Sequence, residues 1–185
     1  MAYHPAYVSD AFLMVETPHP ATLDDDTLMS QVDVATGRTR GPGGQHRNTT
    51  DSAVWLLHRP TGVETGASER RQQWQNKHVA FKRLRVRLAV QCRTLVSRDH
   101  HHPSALWVAR RQGERMAVAH DHHDYAPLLA EALDLVVCRR FDVAGAAGLL
   151  GITMSQLTRL IRHEKAAFAR LNEGRKSVGL PPLRS

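Results

Sequence analysis

Cysteine is scarce: only Cys92 and Cys138 occur in 185 residues. That excludes a disulfide framework and any four-cysteine zinc site, and both read as buried, inert thiols. No apolar run approaches the length of a membrane span, and Met1-Ala2-Tyr3-His4-Pro5 lacks a charged region followed by an apolar core. No membrane partner is therefore expected, and a cytoplasmic location is the default. Lys and Arg are absent from residues 1–37, which carry six acids. No internal repeat is visible.

What is present is basic and unevenly placed. Of the 25 Lys and Arg, 13 fall in residues 38–98 against three acids, and residues 99–185 hold 12 against nine. A basic field concentrated on one segment favours a polyanionic partner, by counterion release and steering. The length accommodates one domain with an appendage, or two small ones.

The segment with that field contains Arg38-Thr39-Arg40-Gly41-Pro42-Gly43-Gly44-Gln45-His46-Arg47-Asn48. Three glycines and a proline in four positions exclude a helix or a paired strand interior, because glycine carries the highest backbone entropy and proline has no donor. The segment is therefore a loop whose main chain can approach a ligand closely. Before it, Thr22 and Asp25 form a capping box for a short helix to Gln31, and Gln31–Ala35 alternates as a strand. After it, Ala53–His58 reads as a strand, Arg59-Pro60-Thr61-Gly62 as a turn, and Val63–Ser68 as the hairpin partner.

A long helix is predicted from Arg70 to about Ser97. Trp74, Phe81, Leu84, Leu88, Cys92 and Leu95 make its apolar stripe, and Lys77, Lys82, Arg83, Arg85, Arg87 and Arg93 its basic arc. On that pattern Trp74 and Phe81 are core residues, not a base-stacking platform.

These motifs in order, Gly41 to Val54, then Pro60-Thr61-Gly62-Val63, then Glu69-Arg70-Arg71-Gln72 with Asn76-Lys77, closely resemble the Gly-Gly-Gln catalytic domain of class I peptide chain release factors, over about residues 28–98. The resemblance implies hydrolysis of the ester between a peptide and its transfer RNA. It assigns the oxyanion-stabilising donor to the Gln45 backbone N–H, with Gly43 and Gly44 allowing the turn that aims it. The Gln45 side chain would position water and exclude larger nucleophiles. No Ser-His-Asp set or carboxylate pair belongs to the loop, as expected where ribosomal RNA and substrate complete the site. His46 is read as packing the loop or contacting RNA rather than as a general base. The RNA-facing set is Arg38, Arg40, His46, Arg47, Asn48, Arg70, Arg71, Lys77, Lys82 and Arg85. The implied partners are the ribosome at its peptidyl transferase centre, peptidyl-tRNA and a Gln45 methyltransferase, with no cofactor and the protein a monomer.

The rest departs from that pattern. Residues 1–21 have no period and read as an irregular arm, and 22–98 form the catalytic domain. Residues 99–125 are a His-rich connection in which His100-His101-His102 and Asp121-His122-His123-Asp124 invite a metal. Adjacent ligands rarely converge on one ion, however, and solvated loop histidines are the better reading. Residues 126–185 form a helical module: a helix from Ala126 to Arg139, then Asp142 capping a helix, Gly151 turning it, and Thr153 or Ser155 capping the next, like a helix-turn-helix.

The expected fold is thus α+β, a small mainly antiparallel sheet packed on one long helix, followed by this module. The expected function is codon-independent release on stalled ribosomes, since no stop-codon recognition loop is recognisable. The alternatives are a non-catalytic ribosome- or RNA-binding protein and a helix-turn-helix DNA-binding regulator.

Overall fold

The fold, seen in a computed structural model that describes residues 11–38, 52–98 and 100–184, is α+β, as the mixture of alternating and helical periods predicts. Contacts divide it into a unit of Leu23–Leu88 and a unit that joins residues up to Thr22 with Ala89 onward.

In the first unit, helix α1 (Asp25–Ser30) is capped by Asp24, not by Thr22. The Asp24 carboxylate accepts from the Thr27 N–H at 2.8 Å and from its hydroxyl at 2.7 Å, satisfying a donor that the first turn leaves open. Strands β2 (Val32–Gly37), β3 (Ala53–His58) and β4 (Val63–Ala67) form an antiparallel sheet in that order. Val54, Leu56 and His58 are buried and alternate with exposed Trp55 and Leu57, so one sheet face is core and the other open. Pro60 and Gly62 make the β3–β4 turn, Gly62 at φ 68°, where a side chain would be strained. Helix α2 (Gln73–Gln91) adds a buried row, Asn76, Ala80, Leu84 and Leu88, at four-residue spacing.

Three expectations for this helix are corrected. It ends at Gln91 rather than near Ser97, because Cys92–Arg93 (β5) leaves it to pair in parallel with Leu13–Met14 (β1). Leu95 is exposed as a result. Trp74 is 67% exposed: two positions before Asn76, it lies about 200° around the helix from the buried row.

The second unit is built around helix α4 (Tyr125–Cys138), which is apolar and buried on nearly every side. Helix α3 (Ala105–Arg110), capped by Ser104, sends the fully buried Trp107 to donate its indole N–H to the Leu150 carbonyl at 2.9 Å. A hairpin of β6 (Arg111–Gln112) and β7 (Arg115–Met116) follows. Helices α5 (Val143–Leu150), α6 (Met154–Arg162) and α7 (Lys165–Ser177) complete the unit. The expected signals hold here: the Asp142 side chain caps α5, Gly151 turns at φ 66°, and Thr153 caps α6. Arg140 and Phe141 both take positive φ in the α4–α5 turn. The buried Phe141 ring lies against Gly174, where any Cβ would collide with it. Among the described residues, no helix is long and apolar enough to cross a membrane.

A buried polar network joins β5 to α4. Asp134 accepts from the Arg93 guanidinium at 2.7 Å and from the Thr94 hydroxyl, and Arg93 donates also to the Ala130 and Ala89 carbonyls. Nearby, the buried His19 accepts from the Ala21 N–H through Nδ1 at 3.0 Å and donates from Nε2 to the Cys92 carbonyl at 3.1 Å, which holds the ring neutral. Burial pushes the Cys92 thiol up to about 11, the inert state expected of it.

Removing one partner of a buried ion pair strands the other charge. Arg93→Met should therefore cost about 3–5 kcal/mol in urea unfolding, and Arg93→Met with Asp134→Leu should recover most of it. Burial holds the His19 imidazole below its ordinary 6.5. The unfolded chain thus takes up this proton at higher pH than the folded one, so stability is full above that value and is lost as pH falls below it. The urea midpoint should fall from about pH 7 to about pH 5, the range of imidazole titration, and His19→Gln should flatten the slope.

Candidate active site

The register of the first hairpin sets where the glycine-rich segment leaves and re-enters the sheet. Gly37 pairs with Ala53, so residues 38–52 leave and re-enter the sheet at the same end of β2 and β3. Gly43, Gly44 and Gln45 fall inside that connection. They lie outside the described residues, as do Arg40, His46, Arg47 and Asn48. Arg38 is exposed where β2 ends.

The exit of the connection is fastened by Asn76. Its side chain is buried, with Nδ2 donating to the Ser52 carbonyl at 2.6 Å and the Arg70 carbonyl at 2.9 Å, and Oδ1 accepting from the Arg70 N–H at 2.9 Å. One amide therefore ties the last residue of the connection to the turn that precedes α2. Two carbonyls opposite Nδ2 and one N–H opposite Oδ1 leave a single orientation for it.

Trp55, on the open face of the sheet, lies across two glycines on the flanking strands. A Cβ at Gly37 would stand 3.1 Å from its ring, and one at Gly66 only 2.8 Å away. Glycine inside a strand marks such a close approach, and this is a signal the sequence contained for both positions. The indole thereby braces all three strands beside the connection.

The basic arc of α2 divides into two sets. Arg83 and Arg87 donate to the Gly66 and Glu64 carbonyls on the free edge of β4, and Arg83 also pairs with Glu69 at 2.6 Å. They close an edge that would otherwise offer unpaired acceptors. Arg85, expected to face RNA, is instead buried: it donates to Asp25 at 2.6 Å and to the Leu23 carbonyl, with its guanidinium 5.3 Å from the Phe81 ring centre. It holds α1 against α2. Arg70, Arg71, Lys77 and Lys82 are exposed, and their side chains make no hydrogen bond or ion pair among the described residues. Arg70 and Arg71 precede α2, Lys77 lies with exposed Trp74 in its first turns, and Lys82 stands at its middle.

Within the second unit, His122, His123 and Asp124 place three ligand atoms within 4.8 Å of one another. The Arg110 guanidinium already occupies that space, donating to Asp124 at 2.6 Å and lying 3.2 Å from His122 Nε2. A metal would have to displace this cation, so the donor set fits an ion pair better than a metal centre. His101 instead meets Glu131 at 3.1 Å.

The connection that holds Gly43, Gly44 and Gln45 thus leaves and re-enters one end of an antiparallel hairpin, and its exit is tied to the turn before a helix that carries exposed cations. The model of the RF-1 domain matches residues 25–123, and the chain belongs to that family, the family of class I peptide chain release factors. Among similar proteins, mitochondrial peptide chain release factor 1 of Homo sapiens is 38% identical over 104 residues, 56% of this chain and 23% of that protein. The Bos taurus counterpart is 43% identical over 75 residues, 40% of this chain and 17% of its own length. Peptide chain release factor 2 of Caulobacter sp. (strain K31) is 48% identical over 67 residues, 36% of this chain and 18% of its own. The chain thus matches about a fifth of the length of these relatives.

Asn76→Ala should leave the Ser52 and Arg70 groups unpaired and lower urea stability by about 1–3 kcal/mol. Asn76→Asp should be at least as damaging, because it sets a carboxylate against two carbonyl oxygens. Denaturation of both variants in parallel checks the order.

Proposed function

We propose that the protein hydrolyses the ester of peptidyl-tRNA on the ribosome and does so without reading a codon. The observation that carries this reading is Gly43-Gly44-Gln45 on a connection closed by the Gly37–Ala53 pair and fastened through Asn76. Membership of the RF-1 domain family and relatives named as peptide chain release factors support it.

In this reading water attacks the ester carbonyl carbon, negative charge develops on the carbonyl oxygen, and the Gln45 backbone N–H stabilises that charge. The bond to the tRNA oxygen then breaks, and that oxygen leaves with a proton. A preorganised backbone donor of this kind contributes roughly a hundred- to thousand-fold in rate. Gly43 and Gly44 permit the turn that aims the donor, and the Gln45 side chain positions water. The peptidyl transferase centre supplies the remaining groups, so the protein needs no cofactor. Arg38, Arg40, His46, Arg47, Asn48, Arg70, Arg71, Lys77 and Lys82 face ribosomal RNA, where cations neutralise phosphates. Arg85 is left out of that set because its guanidinium is committed to Asp25 and Leu23. Gln45 is the site for a methyltransferase. The protein works as one copy, in the cytoplasm where its ribosomes are.

Peptide release from purified ribosomes holding peptidyl-tRNA, with an empty A site, a sense codon or a stop codon, tests this reading. Equal release in the three states is expected, with a fall of about a hundred- to thousand-fold for Gly43→Ala and a strong loss for Gln45→Ala. Release only at a stop codon would overturn codon independence. Full turnover by Gly43→Ala would sink the backbone-donor mechanism, and binding without release in any state would make the loop a docking element.

A further inference from the structure

The hairpin Arg111–Met116 and the α5–α6 pair form one surface. The Thr153 N–H, at the start of α6, donates to the Glu114 carbonyl in the hairpin turn at 3.2 Å. Arg111 crosses the other side of that junction and donates to the Gly151 carbonyl at 3.2 Å. A strand hairpin locked to the turn of a helix-turn-helix is a wing, and wing and second helix together make a surface on which a nucleic-acid backbone can lie.

The open side of α6 has the chemistry for that. Leu157, Leu160 and Ile161 are buried, and Ser155, Arg159 and Arg162 are exposed on the opposite stripe with half-buried Thr158 between them. The helix carries no acid. Arg111 and Arg115 of the wing are exposed at its start, and His120 stands 6.1 Å, ring centre to ring centre, from His163 at its end. His163 reports the local field: burial first, then the Arg159, His120 and Arg162 charges, hold its imidazole below the ordinary value. The acids nearby are Glu114 in the wing turn, exposed Asp121, and Glu164, which caps α7 and lies 3.9 Å from His120.

We propose that this wing and α6 surface binds the phosphate backbone of double-helical RNA. Sequence reading of DNA would need long polar side chains on the first turns of α6 that reach base edges. Met154, Ser155 and half-buried Gln156 and Thr158 stand there instead. The charged groups sit where phosphates are contacted, which suits recognition by shape, the usual mode for duplex RNA. The choice of RNA over DNA rests on the ribosomal function proposed above.

The test is fluorescence anisotropy of the full-length protein with a 20-base-pair RNA duplex of arbitrary sequence and the DNA duplex of the same sequence, across a salt series at about the 0.05–0.2 M range where phosphate contacts are resolved. Arg159→Ala with Arg162→Ala should weaken RNA-duplex binding by about tenfold or more and reduce the salt slope by about two, one per lost phosphate contact. Both side chains are exposed, so folding is preserved and circular dichroism verifies it. Arg115→Ala, in the wing and outside the bonds that lock it, should give a smaller loss in the same direction. Unchanged affinity and slope in both variants would overturn the proposal, and so would tighter binding to DNA than to RNA. The release assay separates the two readings: if Gln45→Ala releases peptide as well as wild type does, the hydrolytic mechanism fails, and the anisotropy result stands or falls separately.

Discussion

A buried amide has no water to fall back on, and Asn76 meets that constraint by spending both donors and its acceptor on backbone groups. The consequence reaches well beyond one residue. Ser52, where the chain re-enters the sheet, is tied to the Arg70 turn, and the β2–β3 register fixes the other end at Gly37. The two ends of the glycine-rich connection are thereby fixed by contacts outside it, since glycine contributes freedom and no rigidity of its own. Trp55 lying over Gly37 and Gly66 serves the same end from the sheet face. The second unit meets the same constraint with charge: Asp134 gathers Arg93 and Thr94 into a fully buried set.

Arginine does two different structural jobs in this chain, and net charge alone cannot tell them apart. Arg93 and Arg85 are internal fasteners, and Arg83 and Arg87 close a strand edge. Arg70 and Arg71 are exposed and make no such contact among the described residues. The exposed cationic set on and before α2, namely Arg70, Arg71, Lys77 and Lys82, is therefore smaller than the composition suggests. Trp74 belongs with it by exposure, although its spacing in the sequence resembles that of a core residue.

What was legible in the sequence was local. Ala53–His58 alternates, Pro60 and Gly62 mark its turn, and Asp142, Gly151 and Thr153 cap and turn their helices within a few residues of where they act. The α+β class and the loop motif followed from such signals. What was not legible depended on distant partners. The early end of α2 follows from Cys92–Arg93 pairing with Leu13–Met14, far back in the chain. The strand at Leu13–Met14 exists only because Cys92–Arg93 is there to pair with it. Burial of Arg85 requires Asp25, 60 residues back. The exposure of Trp74 was not legible because its apolar spacing to Phe81 and Leu88 points to one face, whereas the buried row begins at polar Asn76, about 200° around the helix from it.

The family match and the units of the fold do not coincide, and this bears on how the second unit is read. The match ends at residue 123, so it includes the wing hairpin but stops before α4 to α7. Yet the wing is joined to the α5–α6 turn by two hydrogen bonds from backbone and arginine. A hairpin of two-residue strands has little stability alone, so its shape here depends on the helices that lie outside the match. The connection that holds the glycine motif and the surface assembled from the later helices thus belong to different units. Changes to what the second unit recognises need not disturb the main-chain geometry on which hydrolysis would rest.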